Sequence, residues 1–389
     1  MIYLDNASTT QIDQEVLYEM MPYLTTKYGN PGTTYKLGQE AKKAIDIARE
    51  RVAAFLRADN VEQIIFTSGG TESNNMVFSL NRYISSGSFG TISGIEHDSI
   101  MNIAINQRAS GFYNIIDVDE SGKIIWDSFQ NNINGFTMLV SVMFANNEIG
   151  SINPIEKIGE YCSENGILFH SDCVQAAGCI KIDVNELNLD FASISSHKIH
   201  GPKGVGALYI KNKSVVFPNY MRRVGGKDQE FGIRGGTENV AGIVGFGKAC
   251  ELLTGNEMRI GANITVLKKK MWSELRYHFS KYGMLDILHD NADSSNTFGK
   301  VLNIRIDGID AETMLLMLSA QDVYVSAGSA CRSHEQEPSR VLKAIGLTDD
   351  QARDSIRISF SKYNTENEVC EAAKIIANTA FRLREYVGF

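Results

Sequence analysis

A lysine set between an apolar run and a glycine-rich exit can lose its proton and attack an aldehyde, because partial desolvation disfavours the ammonium form. Lys198 sits in such a place: Phe191-Ala192-Ser193-Ile194 precede Ser195-Ser196-His197-Lys198-Ile199-His200, and Gly201-Pro202-Lys203-Gly204 follow. A second segment, Ser326-Ala327-Gly328-Ser329-Ala330-Cys331, carries a cysteine in a run of small residues. A Schiff-base lysine and a thiol on such a loop suggest amino-acid chemistry that ends on sulfur. Taken alone, the first segment equally fits a glycine-bounded strand exit with a surface lysine.

Other fragments supply further parts. Ser68-Gly69-Gly70-Thr71-Glu72-Ser73 follows a strand-like run and opens a helical one. Exposed N–H groups at a helix start, with the Thr71 hydroxyl, suit a phosphate, and Gly70 lets the backbone come close. A capped glycine turn explains the same residues. His170-Ser171-Asp172-Cys173-Val174-Gln175 ends another strand-like run. Asp172 there can hold a protonated pyridine nitrogen, with Gln175 on a ring oxygen, or it can simply cap a helix. His97 in Glu96-His97-Asp98-Ser99 can stack on a ring and shuttle protons, or be structural. Asn147 follows the apolar run from Thr137 to Phe144, and its amide can bond a cofactor or a substrate. Arg234-Gly235-Gly236-Thr237 reads as a second phosphate-reaching loop. Arg357, in the alternating run Ser355 to Phe360, can grip a carboxylate through two parallel hydrogen bonds.

These fragments need a frame. Strands are predicted at Gln63–Thr67, Asn114–Val118, Thr137–Phe144, Ile167–His170, Phe191–Ile194 and Gly206–Ile210. Helices are predicted at Gly38–Leu56, Thr71–Leu80 and Ile155–Asn165. The alternation argues for an α/β domain with a mostly parallel sheet, whose ligands lie beyond the carboxyl ends of the strands. After a long helix over Gly261–Tyr282 the pattern becomes a compact α+β unit. Its strands are Val301–Ile306, Val323–Val325 and Ser355–Phe360, with a helix over Asp310–Ser319. The expected division is a large domain over 1–260 and a small one over 261–389, the first dozen residues packing on the small one.

Composition narrows the field. The 389 residues are 43% hydrophobic, enough for two cores. With 38 basic and 46 acidic residues the net charge is −8, and no basic block marks direct nucleic-acid binding. No run approaches a membrane span, and the N-terminus lacks a signal-peptide pattern. Six cysteines without C-x-x-C or zinc spacing point to a reducing cytoplasm, five of them as small core residues.

The ordered set resembles the cysteine desulfurases, of the class-V aminotransferase-like, pyridoxal 5'-phosphate (PLP)-dependent type. The matching motifs are GGTESNN, EHDSI, NNEIG, DCVQ, SSHKIHGPKG, RGGTEN and SAGSAC, with the opening YLDNASTT. The short cysteine loop is similar to group I. The resemblance implies a PLP-dependent fold type I and removal of sulfur from L-cysteine, leaving L-alanine and a persulfide on Cys331. It implies that Lys198 holds the cofactor and moves protons, Asp172 keeps the ring nitrogen protonated, Gln175 bonds the phenolic oxygen and His97 stacks. Gly70, Thr71, Ser195 and His197 would bind phosphate, joined by Thr237 from the other subunit of a homodimer. Asn147 and Arg357 would hold the substrate carboxylate. A sulfur-acceptor protein, an iron–sulfur scaffold or a thiolation enzyme for tRNA or DNA, is the implied partner, with no direct nucleic acid and no membrane.

Two residues depart from the family pattern: Tyr35 replaces a common histidine, and Cys173 stands where alanine is usual. Strand alternation would turn Cys173 away from a ring that Asp172 faces, making it a packing residue. The alternatives are a selenocysteine lyase or aminotransferase of the same fold, and a non-catalytic sulfur-carrier scaffold. An aminotransferase has no need of Cys331, and a dead scaffold has no need of Lys198 with Asp172.

Overall fold

The structure is a computed structural model that describes residues 1–84, 89–108, 113–213, 229–327 and 338–387. Cys331 lies outside the described residues. A seven-stranded sheet takes the order β2-β8-β7-β6-β5-β3-β4. Its strands are β2 (Ile64–Thr67), β3 (Phe89–Ser93), β4 (Tyr113–Ile116), β5 (Thr137–Ser141), β6 (Leu168–Asp172), β7 (Phe191–Ser195) and β8 (Gly206–Ile210). Only β8 among these runs against its neighbours, pairing antiparallel to both β2 and β7. Ten residues separate β7 from β8, fewer than a parallel crossover helix needs, so the chain turns straight back.

Helices cover both faces: α1 (Gln14–Thr25), α2 (Lys36–Leu56), α3 (Gly70–Ile84), α4 (Asp98–Arg108), α5 (Trp126–Asn131), α6 (Ile155–Glu164) and α7 (Val240–Leu253). Burial on both faces is why β8, Gly-Ala-Leu-Tyr-Ile, reads as an almost continuous apolar run. Apolar cores fill both sides of the sheet, one around Val140, Phe169 and Phe246, the other around Phe78, Ile92 and Leu208. Helix α7 lies deep in the first core because glycine removes the side chains that would keep α2 away. A β-carbon on Gly247 would stand 2.6 Å from the Ala48 Cα. Cys162, Cys173, Cys179 and Cys250 are all buried free thiols, so Cys173 is a packing residue as the strand alternation predicts.

A third core gathers around Leu302, Ile356, Phe279 and Ala373. It is built from α8 (Glu257–Lys281), α9 (Ala311–Ser319) and α12 (Glu366–Val387), whereas the short α10 (Arg340–Ala344) and α11 (Asp349–Arg353) bury Val341, Leu342 and Ala352 in the first core. Its antiparallel sheet has the order β12-β13-β10-β9, with β9 (Leu288–Asp290), β10 (Val301–Ile306), β12 (Ser326–Ala327) and β13 (Ser355–Ser359). The chain's own start joins this part. Strand β1 (Ile2–Tyr3) pairs parallel with β11 (Val323–Tyr324), and the Ser359 N–H donates to the Leu4 carbonyl at 2.7 Å. Residues 5–10 then cross back towards the large sheet, where the Thr10 N–H bonds the His197 carbonyl at 2.9 Å.

Candidate active site

Adjacent strands bring the chemistry-bearing residues to one edge. Register places Thr67 opposite Gly206 and Gly206 opposite Ser195, while Asp172 lies beside Ser193. The loop into α3 passes so close over β8 that a β-carbon on Gly206 would lie 2.7 Å from the Gly69 Cα. Gly70 opens α3 in a similar crush: its β-carbon would stand 2.8 Å from Val174 Cγ2 and 3.8 Å from Ser195 Cβ. Ser195 is buried, and its hydroxyl finds no partner. A spare hydroxyl beside the unsatisfied N–H groups of a helix start is a good setting for a phosphate. Thr71 is exposed in the first turn of α3. Thr237 is also exposed, and Arg234 of its loop is tied to the same turn through Glu72 at 2.8 Å. Burial works against the Glu72 charge, but hydrogen bonds from Arg234 and Ser68 outweigh it and lower the carboxyl's pKa.

Lys198 ends a short 3-10 turn after β7. Its Nζ donates to the Ala7 and Ser8 carbonyls at 2.7 and 2.6 Å. Burial, then the charges of Lys300 and Arg357, pull its pKa down to about 8. Carbonyl acceptors hold the amine without neutralising it, so it keeps a usable lone pair near neutral pH. His197 bonds Thr9 Oγ1 at 3.2 Å through Nδ1, and burial followed by the Lys198 charge lowers its pKa to about 4. Lys300 is 6% exposed and shares a small cavity with Lys198, His200 and Lys362. Its pKa is lowered, chiefly by burial, and no carboxylate pairs with it among the described residues.

Asp172 accepts from Asn74 Nδ2 at 2.7 Å and from the Val174 N–H at 2.9 Å. Gln175 donates Nε2 to the Ala7 carbonyl at 2.9 Å, while its Oε1 is buried without a partner. His97 is exposed, with Nδ1 against Ser99 Oγ at 2.8 Å. Arg357 is 4% exposed on β13 and donates to Asp5 Oδ1 at 2.9 Å, Ser8 Oγ at 2.7 Å and the Asn147 carbonyl at 3.0 Å. Its Nε is left without a partner. The spare Ser195 hydroxyl, the spare Gln175 oxygen, the Asp172 carboxylate and the lowered Lys198 amine suit a phosphorylated pyridine aldehyde.

Both ends of the cysteine loop are anchored at this site. Ser326 of β12 pairs with Arg357, and beyond the loop Ser339 Oγ donates to Glu148 Oε2 at 2.5 Å. Arg340 reaches Asp98 Oδ1 and the Glu96 carbonyl, each at 2.9 Å, on either side of His97. Sequence reasoning passed over Asn74, Ser99, Lys300 and the carbonyls of Ala7 and Ser8. Their partners lie far along the chain, and no local pattern reports them.

Comparison with known proteins agrees with this geometry. Residues 2–371 match the Aminotransferase class-V family. A Clostridium botulinum relative, Cysteine desulfurase IscS, is 40% identical over 99% of this chain and 95% of its own. A solved NifS-like protein superimposes with a TM-score of 0.85 at 32% identity, covering 97% of this chain and 98% of its own. A structure of SspA in complex with cysteine gives 0.78 at 30% identity, covering 94% of this chain and all of its own. The chain belongs to the aminotransferase class-V family and, within it, to the PLP-dependent cysteine desulfurases.

Proposed function

We propose that Lys198 anchors PLP, with Asp172 on the ring nitrogen, Gln175 on the phenolic oxygen and His97 stacked on the ring. Gly70, Thr71, Ser195 and His197 hold the phosphate. Asn147 and Arg357 receive the carboxylate of L-cysteine, which displaces part of the Asp5–Ser8 hold on the guanidinium. Bound PLP supplies the electron sink that carbon–sulfur cleavage requires. The Cys331 thiolate attacks the substrate sulfur. A sulfur–sulfur bond forms as the carbon–sulfur bond breaks, its electron pair stays with carbon, and a proton from Lys198 or His97 completes L-alanine. The observation that carries this reading is the Lys198 amine, half-buried, lowered to about 8 and held only by carbonyls beside partnerless Ser195 and Gln175 atoms.

Sulfur then passes to an acceptor protein, an iron–sulfur scaffold or a thiolation enzyme. A net charge of −8 favours a folded protein acceptor over nucleic acid. The active form we propose is a homodimer in which Thr237 of one copy serves the phosphate of the other. Tyr18, Met21 and Leu24, exposed by 67, 45 and 59% along α1, offer apolar surface for a second copy. We assign the chain to two domains, 1–260 and 261–389, and to the cytoplasm. No described helix is long and apolar enough to cross a membrane.

The test is mass spectrometry after incubation with L-cysteine. Wild type gains one sulfur at Cys331. Cys331→Ala keeps the visible cofactor band but gains none, and Lys198→Ala loses the lysine-linked band. Sulfur mapping to Cys173, or a protein that stays colourless with PLP, overturns the assignment.

A further inference from the structure

Four side chains from three elements form a single line of hydrogen bonds. Asp172 ends β6, Asn74 lies on α3, Ser99 is in the first turn of α4, and His97 immediately precedes that helix. A carboxylate only accepts, so Asn74 must turn its NH2 group towards Asp172, which it meets at 2.7 Å. The second proton of the same amide goes to Ser99 Oγ at 2.9 Å. Ser99 Oγ is thereby an acceptor, and its own proton is free for His97 Nδ1 at 2.8 Å. The Ser99 backbone N–H points at the same nitrogen from 3.1 Å. Two donors converge on Nδ1, so that atom carries a lone pair, and a neutral ring must hold its proton on Nε2. The cost of this arrangement is visible in Asn74, whose Oδ1 is buried without a partner. An amide flip would place that oxygen against the Asp172 carboxylate and lose both donated bonds.

We propose that Asn74 and Ser99 are positioning residues that lock His97 as the Nε2–H tautomer and join its orientation to the Asp172 carboxylate. This rests on the reading of His97 and Asp172 as groups that meet cofactor and substrate. A ring fixed in this way presents a hydrogen-bond donor, Nε2–H, to the reacting molecule, while its lone pair on Nδ1 is already engaged by Ser99. Accepting a proton then falls to Lys198, whose amine is already lowered to about 8.

The test uses full-length holoenzyme labelled with 15N-histidine. The chain has 7 histidines, and the His97 signals are identified by their loss in His97→Gln. In wild type, Nδ1 should resonate as an unprotonated nitrogen and Nε2 as a protonated one. Ser99→Ala removes one of the two donors and should lower the tautomer ratio about fivefold, the effect of one ordinary hydrogen bond. Ser99→Thr keeps the hydroxyl and should restore the wild-type pattern. Asn74→Ala touches no atom of His97, yet it should move the His97 nitrogens by freeing the Ser99 hydroxyl to rotate. A protonated Nδ1 in wild type, or unchanged His97 signals in Ser99→Ala, overturns the proposal. Unchanged signals in a folded Asn74→Ala overturn the link to Asp172, and if that variant does not fold, Ser99→Ala decides. The visible cofactor band, recorded on each sample, reports separately on the assignment of Lys198 and PLP.

Discussion

Replacing Lys300 by methionine keeps the volume of a buried side chain and deletes its charge. The Lys198 amine is lowered from 10.5 to about 8. That is a bias of roughly 3 kcal/mol against its ammonium form. Burial is the largest cause, and Lys300 is the largest charge, ahead of Arg357, with Asp5 and Asp172 opposing. A like charge in the same small cavity, at an effective dielectric of about 20, is worth on the order of 1–2 kcal/mol, and solvent entering the cavity reduces that. Lys300→Met should therefore raise the Lys198 pKa by about one unit. At pH 7 the neutral fraction would fall from about one in ten to about one in a hundred. The assay is growth of the visible band when apo-protein meets saturating PLP between pH 6.5 and 9.5. Attachment should be about tenfold slower than wild type at pH 7 and converge with it at the alkaline end. Lys300→Arg, which keeps the charge, should behave as wild type. A Lys300→Met profile that overlays wild type, or moves to lower pH, refutes the reasoning.

Glu96 is wholly buried behind His97, with Oε1 bonded to Ser93 Oγ and the Met143 N–H and Oε2 left without a partner. Burial, reinforced by Asp172, raises its pKa to about 8. A folded pKa above the unfolded one gives stability that is full below about 4.5 and is lost as pH rises through about 8. Glu96→Gln should flatten that alkaline decline in a series of urea titrations. An equal slope in both proteins would contradict it. Arg49 and Glu230 form a buried two-bond pair at 2.8 and 2.7 Å. Glu230→Ala should cost about 3–5 kcal/mol in chemical denaturation by leaving Arg49 uncompensated. A loss below 1 kcal/mol would show that the guanidinium finds another partner. Gly70→Ala drives a methyl into Val174 Cγ2 and should weaken PLP binding about tenfold, with recovery in Gly70→Ala/Val174→Ala. Unchanged affinity in the single variant would mean that the start of α3 yields freely.

Much of the frame was legible because burial writes itself into composition. Phe191 to Ile194 and Gly206 to Ile210 are apolar runs that became β7 and β8 almost unchanged. Strand β3 was not seen: Phe89-Gly90-Thr91-Ile92-Ser93 has weak strand character and is fixed by pairing with β4 and β5 on either side. The Asn114–Val118 expectation slid to Tyr113–Ile116, since ladder partners and not residue type set its ends. The long helix expected from Gly261 begins at Glu257, inside the expected division at 260. At the site, motifs at strand ends pointed to Lys198, Asp172 and Gln175. What they could not report is the Ala7 carbonyl that both Gln175 and Lys198 bond, 168 and 191 residues away. Nor could they single out Asn74, which reads as an ordinary polar helix residue until the sheet brings Asp172 and Ser99 to it.

With Cys331 as the proposed sulfur carrier, the two anchors of its loop also set a ruler for delivery. Cys331 follows Ala327, the last residue of β12, by four positions, and precedes Ser339, fixed on Glu148, by eight. A chain spans at most ~3.6 Å per residue, so the Cys331 backbone stays within roughly 14 Å of Ala327 and roughly 29 Å of Ser339. The shorter leash governs. Residues added between Cys331 and Ser339 leave the delivery radius unchanged, whereas each one added between Ala327 and Cys331 extends it. An acceptor must therefore bring its receiving atom to within a side-chain length of the sphere centred on β12, beside Arg357.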